Sequence, residues 1–414
     1  MSTVLGTELF CMIECHLLFS NIVTLMQTLD LPEPTDDEIE QSRKLNEIIK
    51  QSVADAGGWI DFDQYMQLAL YAPGLGYYSG GVQKFGEQGD FITSPEVSPL
   101  FAQTLANPVS MVLEKMTDAK IIEFGAGSGK LAADILLALQ KKNELPEEYL
   151  IIELSAELQQ RQKETIQQIV PDLYSRVSWL SFLPEKPVNA VVIANEVLDA
   201  MPVKRFSIKD KTVQLLGVDV FQQELRLSYK DAGKKITDSI DLLNIESPGH
   251  TYTSEINLNI EPWIKSISQC INRGAVYLID YGYPRSEYYS EERHMGTFMG
   301  YYRHRSIDEP LWYPGLQDLT AFVDFTSVAE AAIENDFDVD GFTSQGNFLI
   351  NAGLANIVEK TRADSEIKKL QIVQQMKTLS LPGEMGERFK VIGLSKGLEE
   401  NIPGFEVRDF RYRL

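Results

Sequence analysis

A glycine-rich stretch near the middle of the chain has the spacing of a ligand-binding turn. In "EFGAGSGK", Glu123 stands two residues before the first of three alternating glycines. Glycine tolerates a positive φ and lets backbone amides approach a ligand closely. Two nucleotide-binding patterns fail here, because a dinucleotide turn needs glycine where Lys130 stands and a phosphate loop needs glycine at 124 and Ser or Thr at 131. What remains is an acid followed by three alternating glycines.

That remaining pattern resembles the first motif of class I S-adenosylmethionine-dependent methyltransferases. An acid before the glycines can hold the amino-acid end of this cofactor, and a second acid after the next strand can accept hydrogen bonds from its ribose hydroxyls. Glu153 follows the apolar run "YLII" and stands at that place. The turn alone is also compatible with a tight strand–helix joint, but the second acid favours a cofactor site. The predicted cofactor-binding residues are Glu123, Gly125, Gly127, Gly129, Glu153 and Asn195.

A second polar group follows the fourth apolar strand, in "ANEVLDAMPV". Class I methyltransferases usually place substrate groups at this position, and Glu196 and Asp199 offer two carboxylates there. An alternative is that these two acids cap the next helix near its N-terminus. Asp280, at the end of the fifth strand in "LIDYG", is compatible with lining the same cleft or with an ordinary strand-end turn.

Apolar strands alternate with amphipathic helices from residue 120 onward. This alternation predicts right-handed β-α-β units and a parallel sheet that is covered on both faces, with ligands at the carboxyl ends of the strands. We therefore predict an α/β fold, a Rossmann-like doubly wound class I methyltransferase sheet with a helical N-terminal region and an inserted cap on the substrate side. The predicted segments are a dispensable extension (1–25), a helical and loop region on the substrate side (26–110), the first part of the core (111–282, with a hairpin insertion at about 204–230), the cap (283–325) and the completion of the core (326–414).

Composition limits the class of protein. A formal net charge of −22 and a pI near 4.7 argue against nucleic-acid binding, which needs clustered Lys and Arg. Three cysteines are too few for a disulfide framework and favour a reducing compartment. The apolar run at 9–26 is marginal for a membrane span, and no Lys or Arg precedes Arg43, so neither a signal peptide nor a mitochondrial presequence is predicted. We expect a cytoplasmic protein of bacterial type, without membrane, nucleic acid or metal.

Eight longer blocks occur in a fixed order along about residues 38–400. They are "AGGWIDFDQYMQLALYAPGLGYYS", "GDFITSPEVSPLF", "EFGAGSGKLAADIL", "ANEVLDAMPV", "DYG", "GTFMGYYRHR", "PGLQDLTAFVDF" and "MGERFKVIGL". As an ordered set they resemble the MidA-like methyltransferases, whose mitochondrial members assist respiratory complex I assembly. The resemblance implies a class I fold with extra substrate-side elements. It also implies dimethylation of arginine in a protein, symmetric in the mitochondrial case, and it admits a homodimer.

The resemblance makes "GDFITSPEVSPLF" a signature loop near the cofactor and substrate cleft, although its prolines are also compatible with a plain packing loop. "YYRHR" offers a further group at the substrate entrance. If the acceptor is arginine, carboxylates must orient its planar guanidinium, and Glu196 is the first candidate. The predicted catalytic residues are Glu196, Asp199, Asp90, Glu96 and His304.

Three functions remain open from the sequence. The first is a protein-arginine methyltransferase, and the second is a methyltransferase with another acceptor. The third is an assembly chaperone that binds a partner through its cap. The intact acids and glycines of the cofactor motif count against a degenerate scaffold, and the lysine at position 130 counts against a nicotinamide oxidoreductase.

Overall fold

The computed structural model describes residues 31–80, 93–245, 249–361 and 363–414. By its internal contacts the chain divides into two units, 1–40 and 41–414. In the first unit, Thr35 and Glu38 exchange hydrogen bonds: the Thr35 N–H donates to Glu38 Oε2 (2.6 Å) and the Glu38 N–H to Thr35 Oγ1 (3.3 Å). This reciprocal pair satisfies N–H groups at the start of a helix.

The strands and helices of the described residues follow the predicted alternation. The strands are β1 (Ile60–Asp61), β2 (Lys120–Phe124), β3 (Tyr149–Ile152), β4 (Val177–Leu180), β5 (Val188–Asn195), β6 (Lys204–Lys209), β7 (Thr212–Phe221), β8 (Glu224–Asp231), β9 (Tyr252–Ile256), β10 (Ile271–Tyr283), β11 (Met299–Tyr302), β12 (Arg305–Ile307), β13 (Asp318–Thr320), β14 (Val323–Asp324), β15 (Asp338–Ser344) and β16 (Phe389–Lys396). The α-helices are α1 (Asp36–Asp55), α2 (Phe62–Tyr71), α3 (Ser94–Val97), α4 (Pro99–Leu113), α5 (Lys130–Lys142), α6 (Ala156–Ile169), α7 (Lys234–Asp241), α8 (Ile260–Cys270), α9 (Arg285–Tyr288), α10 (Phe325–Glu334), α11 (Gln345–Asn351), α12 (Leu354–Lys360), α13 (Glu366–Ser380) and α14 (Met385–Arg388). None of these helices is both long and apolar enough to cross a membrane.

The main sheet has the strand order β15-β16-β10-β5-β2-β3-β4, and β14 pairs with β10. The neighbours from β10 to β4 are all parallel, whereas β16 is antiparallel to both of its partners. Helices α5 and α6 connect β2 to β3 and β3 to β4, as parallel pairing requires. The α/β prediction is confirmed, and the carboxyl ends of β2, β3, β5 and β10 meet at one edge.

Side chains that point to opposite faces of the main sheet pack into two separate cores. Ile121, Val191 and Tyr277 belong to the core that also contains α4 and α5 residues. Their neighbours in sequence, such as Ile122 and Val192, belong to the core under α8 and α10. Because successive strand residues point to opposite faces, near-continuous apolar strands are the pattern expected of a sheet buried on both sides.

Two additional sheets lie in the insertions. Between β5 and β10, strands β6 to β9 form an antiparallel sheet with β1, in the order β1-β7-β6-β9, and β8 pairs with β7. This sheet is larger than the single hairpin that the sequence predicted at about 204–230; the domain boundaries themselves stay predictions. Strands β11, β12 and β13 form a three-stranded sheet in the cap.

The closest backbone approach in the main sheet provides a test of its packing. A Cβ on Gly274 of β10 would lie 1.8 Å from the carbonyl oxygen of Ala190 on β5, so alanine cannot fit without moving a strand. We expect Gly274→Ala to lower the free energy of unfolding by about 1–3 kcal/mol or more. Gly249→Ala is the matched control, since among the described residues nothing other than its chain neighbours lies within 4 Å of the added Cβ. Denaturant titration of both variants checks this, and equal midpoints would contradict it.

Candidate active site

The glycine turn connects β2 to α5 and is closely packed on two sides. Gly125, Gly127 and Gly129 all have positive φ, of 61°, 52° and 83°. A Cβ on Gly125 would lie 3.2 Å from Val197 Cγ2, and one on Gly129 only 2.9 Å from Gln162 Cα. Both the backbone conformation and the space therefore require glycine. The turn has no side chains at these positions, and it lies at the edge where the carboxyl ends of the strands meet.

Glu153, the predicted second acid, is buried directly after β3. Its Oε1 accepts the Ser155 N–H (2.9 Å), and its Oε2 accepts the side-chain amide of Gln162 (3.0 Å). The same amide donates to the carbonyl of Gly127 (3.2 Å). Gln162 therefore connects the acid to the glycine turn. The sequence prediction missed Gln162, although its spacing of four from Leu158 and Ile166 places it on the buried face of α6.

Glu123 lies on β2 and is almost fully buried, with the Tyr149 hydroxyl donating to its Oε2 (2.7 Å). Burial raises the pKa of Glu123 to about 7, the Tyr149 hydrogen bond opposes the rise, and the charge of Glu153 adds to it. The structure thus gives this acid a partner on the neighbouring strand. Its predicted contact with the amino-acid end of the cofactor stays a prediction.

Glu196 lies in the turn that follows β5, in a left-handed conformation with φ of 55°. Its carboxylate accepts the Asn195 side-chain amide and the Tyr281 hydroxyl, both at 2.9 Å, and a backbone hydrogen bond from Ser94. Burial raises the pKa of Glu196 to about 7, and these three donors oppose the rise. In the part of the chain that the structure describes, Asn195 Oδ1 is buried without a hydrogen-bond partner.

Asp280, which follows the last residue of β10 that pairs with β5, holds the turn after β5. Its Oδ2 accepts three successive backbone N–H groups, those of Val197 (3.1 Å), Leu198 (2.9 Å) and Asp199 (3.3 Å). Its Oδ1 accepts the N–H of Tyr281 at 2.9 Å. No helix follows β5, because the chain turns through this clamp and enters β6. The alternative that Glu196 and Asp199 cap a helix is therefore wrong.

Asp199 is 4% exposed and lies in an acidic environment. Burial raises its pKa well above the usual range, and the charges of Asp280, Glu196 and Asp318 raise it further. Its Oδ1 is buried and has no hydrogen-bond partner among the described residues. Its backbone carbonyl accepts the N–H of Ala321 (3.0 Å), which ties the turn to the cap segment after β13. In the part of the chain that the structure describes, this carboxyl is therefore a buried polar group with one oxygen unpaired, which is uncommon in folded proteins.

Three residues that the sequence prediction missed complete the cluster. Asp318 on β13 accepts the Tyr78 hydroxyl (2.8 Å). The Tyr71 hydroxyl donates to the carbonyl of Ala200 (2.9 Å), and the rings of Tyr71 and Tyr78 stack with centroids 5.5 Å apart. Asp318 and Tyr78 are 240 residues apart in the chain, so no local spacing could have paired them.

The remaining predicted catalytic residues have three different outcomes. Glu96 on α3 accepts the hydroxyl of Ser128, so it contacts the glycine turn rather than the acidic cluster. Asp90 lies outside the described residues. His304 is exposed in the two-residue turn between β11 and β12, where it and Arg303 both have positive φ, as such a turn requires. The structure therefore does not bring His304 into the buried cluster, and its predicted catalytic role is not supported by its position.

Comparison with known proteins identifies the family. Residues 102–343 match a family model described as "Putative S-adenosyl-L-methionine-dependent methyltransferase". The chain belongs to this methyltransferase family. A solved Burkholderia thailandensis protein bound to S-adenosyl-homocysteine is 39% identical, with a TM-score of 0.88 over 93% of this chain and 100% of that one. "Protein arginine methyltransferase NDUFAF7, mitochondrial" of Danio rerio is 28% identical over 84% of this chain and 87% of its own length. Its Drosophila melanogaster homolog is 27% identical, with 88% and 90% coverage.

The resemblance to MidA-like methyltransferases, the class I fold and the S-adenosylmethionine cofactor are thereby confirmed. The site of this methyltransferase fits the cofactor by its own chemistry. The positive-φ glycines leave the backbone of the turn without side chains, so that a ligand can approach its amides. The buried Glu153, and Asn195 Oδ1, which has no partner among the described residues, are acceptors beside it. Among the described residues, no group of three or more His, Cys, Asp or Glu side chains is arranged to hold a metal ion.

The role of Glu153 can be tested by its loss. Glu153→Ala removes the acceptor predicted for the ribose hydroxyls and one of the two acceptors of the Gln162 side-chain amide. We expect S-adenosylmethionine and S-adenosylhomocysteine to bind more weakly by about 1–3 kcal/mol in calorimetric titration. Glu157→Ala, an exposed acid in the first turn of α6, is the control and should bind as the wild type does. Unchanged affinity in a folded Glu153→Ala protein would refute the assignment.

The raised pKa of Glu123 predicts a pH dependence of stability. Between the usual pKa of 4.5 and about 7 the folded protein keeps a proton that the unfolded chain loses, so the free energy of unfolding falls as pH rises. One such group contributes a slope of at most about 1.4 kcal/mol per pH unit. Glu123→Gln keeps an acceptor for Tyr149 but removes the titration. We expect its melting temperature to vary less with pH across this window than that of the wild type or the control Glu157→Gln; parallel curves would contradict this.

Proposed function

We propose that this methyltransferase transfers a methyl group to the guanidinium of an arginine in a protein. The observation that carries the proposal is the buried carboxyl of Asp199, whose Oδ1 lacks a partner among the described residues and whose pKa is raised by the charges of three acids, Asp280, Glu196 and Asp318. Burial of such a group favours its protonated form unless a cation accompanies the carboxylate. The Danio rerio and Drosophila melanogaster relatives, named protein arginine methyltransferases, support the same acceptor.

Arginine suits this cluster better than other cations. Its guanidinium is planar, always charged and presents five N–H donors, so it can satisfy carboxylates on more than one side. Glu196 lies in the same turn as Asp199, and Val197 between them packs against the glycine turn. The acceptor acids are thus placed next to the cofactor motif, where the nitrogen must meet the methyl group.

The reaction requires alignment and removal of one proton. S-adenosylmethionine supplies, when bound, an electrophilic methyl group on a sulfonium that is a good leaving group. The arginine nitrogen forms the new N–C bond while the C–S bonding pair stays on sulfur, and the nitrogen loses its proton during or after attack because the guanidinium pKa exceeds 12. Glu196, with a pKa raised to about 7, is suited to receive that proton. Orientation of the guanidinium by the acids contributes most of the rest of the rate enhancement.

Location and further partners stay predictions. The sequence favours a cytoplasmic location of bacterial type, whereas the Danio rerio and Drosophila melanogaster relatives are named mitochondrial. We propose a protein as the acceptor. The homodimer, and the absence of nucleic acid and membrane among its partners, are predictions from the sequence and the family.

Labelled methyl transfer tests the proposed function. The purified enzyme is incubated with methyl-labelled S-adenosylmethionine and an extract of cells that lack this protein, and the labelled proteins are hydrolysed and analysed for methylated amino acids. We expect the label in methylarginine. We expect Glu196→Gln to lower the maximal rate by about 100-fold and to leave cofactor affinity nearly unchanged.

Glu261→Gln, an exposed acid at the start of α8, is the matched control and should keep the wild-type rate. If the label were found in lysine or in a small molecule, the proposal that arginine is the acceptor would be wrong. Loss of cofactor binding in Glu196→Gln would show that Glu196 serves the cofactor and not the acceptor.

A further inference from the structure

Asp318 belongs to the cap, and its charge raises the pKa of Asp199 in the core turn. It lies on β13, it is buried, and the Tyr78 hydroxyl donates to its Oδ1 at 2.8 Å. The cap segment is fastened to the core turn by the hydrogen bond from the Ala321 N–H to the Asp199 carbonyl, at 3.0 Å. Asp318 and Asp199 are therefore brought together from two separate parts of the chain.

A stacked pair of tyrosines connects the two acids. The Tyr71 hydroxyl donates to the carbonyl of Ala200, next to Asp199, and the Tyr78 hydroxyl donates to Asp318. The two rings lie 5.5 Å apart with an interplanar angle of 26°. Burial is the main cause of the raised pKa of both phenols, and the charges of Asp318 and Asp199 raise it further. This agrees with the two carboxyls lying beside the same tyrosine pair.

We propose that Asp318 is a specificity-determining residue that, together with Asp199, forms a two-carboxylate binding point for the acceptor guanidinium. This inference rests on the proposed arginine methylation and adds the cap to the acceptor site. The unpartnered Asp199 Oδ1 provides one acceptor and Asp318, oriented by Tyr78, provides the second.

Two acids from different directions distinguish arginine from lysine. A guanidinium presents N–H groups along several edges of one plane, whereas an ammonium is a compact point charge on a flexible stem. A pair of carboxylates on separate elements therefore fits the guanidinium at both acids and leaves one acid incompletely satisfied with lysine. The tyrosine pair beside them also suits a cation, because aromatic rings attract cations at their faces.

The experiment uses the full chain with the same extract and labelled S-adenosylmethionine. The rate of methylarginine formation is measured against extract concentration for wild type, Asp318→Asn, Tyr78→Phe and Asp318→Glu. We expect Asp318→Asn to raise the half-saturating extract concentration by about 10- to 100-fold, with cofactor affinity unchanged in calorimetry. Tyr78→Phe keeps the acid and removes only its hydroxyl partner, so it should raise the half-saturating extract concentration by less. Asp318→Glu keeps a carboxylate and should also raise that concentration by less than Asp318→Asn does. Asp308→Asn, exposed in the same cap, is the control.

The outcomes separate this inference from the proposed function. If the wild type labels no arginine, both fail together. If the wild type labels arginine and Asp318→Asn matches it, only the role of Asp318 is overturned. Weaker S-adenosylmethionine binding in Asp318→Asn would also overturn it, because the acid would then serve the cofactor.

Discussion

The hydrogen bonds of Asp280 are the constraint on which the candidate site depends. One buried carboxylate accepts four backbone N–H groups, three of them successive in the turn after β5. The turn is held with Glu196 at a positive φ, a conformation that a residue with a side chain adopts only when its surroundings require it. From this turn Val197 packs against the glycine turn, and Asp199 reaches the cap. Both halves of the site are thus positioned by one interaction.

The electrostatics of the cluster explain why the protein keeps these acids close together. Burial raises the pKa of Glu196 and of Asp199, and the neighbouring carboxyls raise the pKa of Asp199 further. The folded protein therefore favours the neutral forms of these acids. Under the proposed function, a guanidinium would favour their charged forms and would meet groups that are already oriented.

The sequence predicted places in the fold correctly where the signal is local, whereas the roles of the site residues stay predictions. The glycine turn and Glu153 follow from the order of a strand, a turn and the next strand, and the apolar periodicity gave the alternating α/β core. The prediction failed for Gln162, Asp318 and Tyr78, whose roles arise from contacts between distant elements. The helix-cap alternative for the acids after β5 failed because an inserted antiparallel sheet, and not a helix, follows that strand. His304 was predicted to be catalytic, but it lies in a tight hairpin turn, where its φ is positive.

The proline-rich segment "TSPEVSP" contacts both Glu196 and the glycine turn. A plain packing loop would not be expected to make both contacts. Its residues form the short helix α3, with proline in the first turn and Thr93 before it. The Ser94 backbone donates to Glu196, the proposed acceptor acid, while Glu96 accepts from Ser128 in the glycine turn. Proline fixes φ in advance, so this turn loses little further freedom when both contacts form. The short helix that these prolines help to start therefore lets two of its residues, Ser94 and Glu96, contact Glu196 and the glycine turn at the same time.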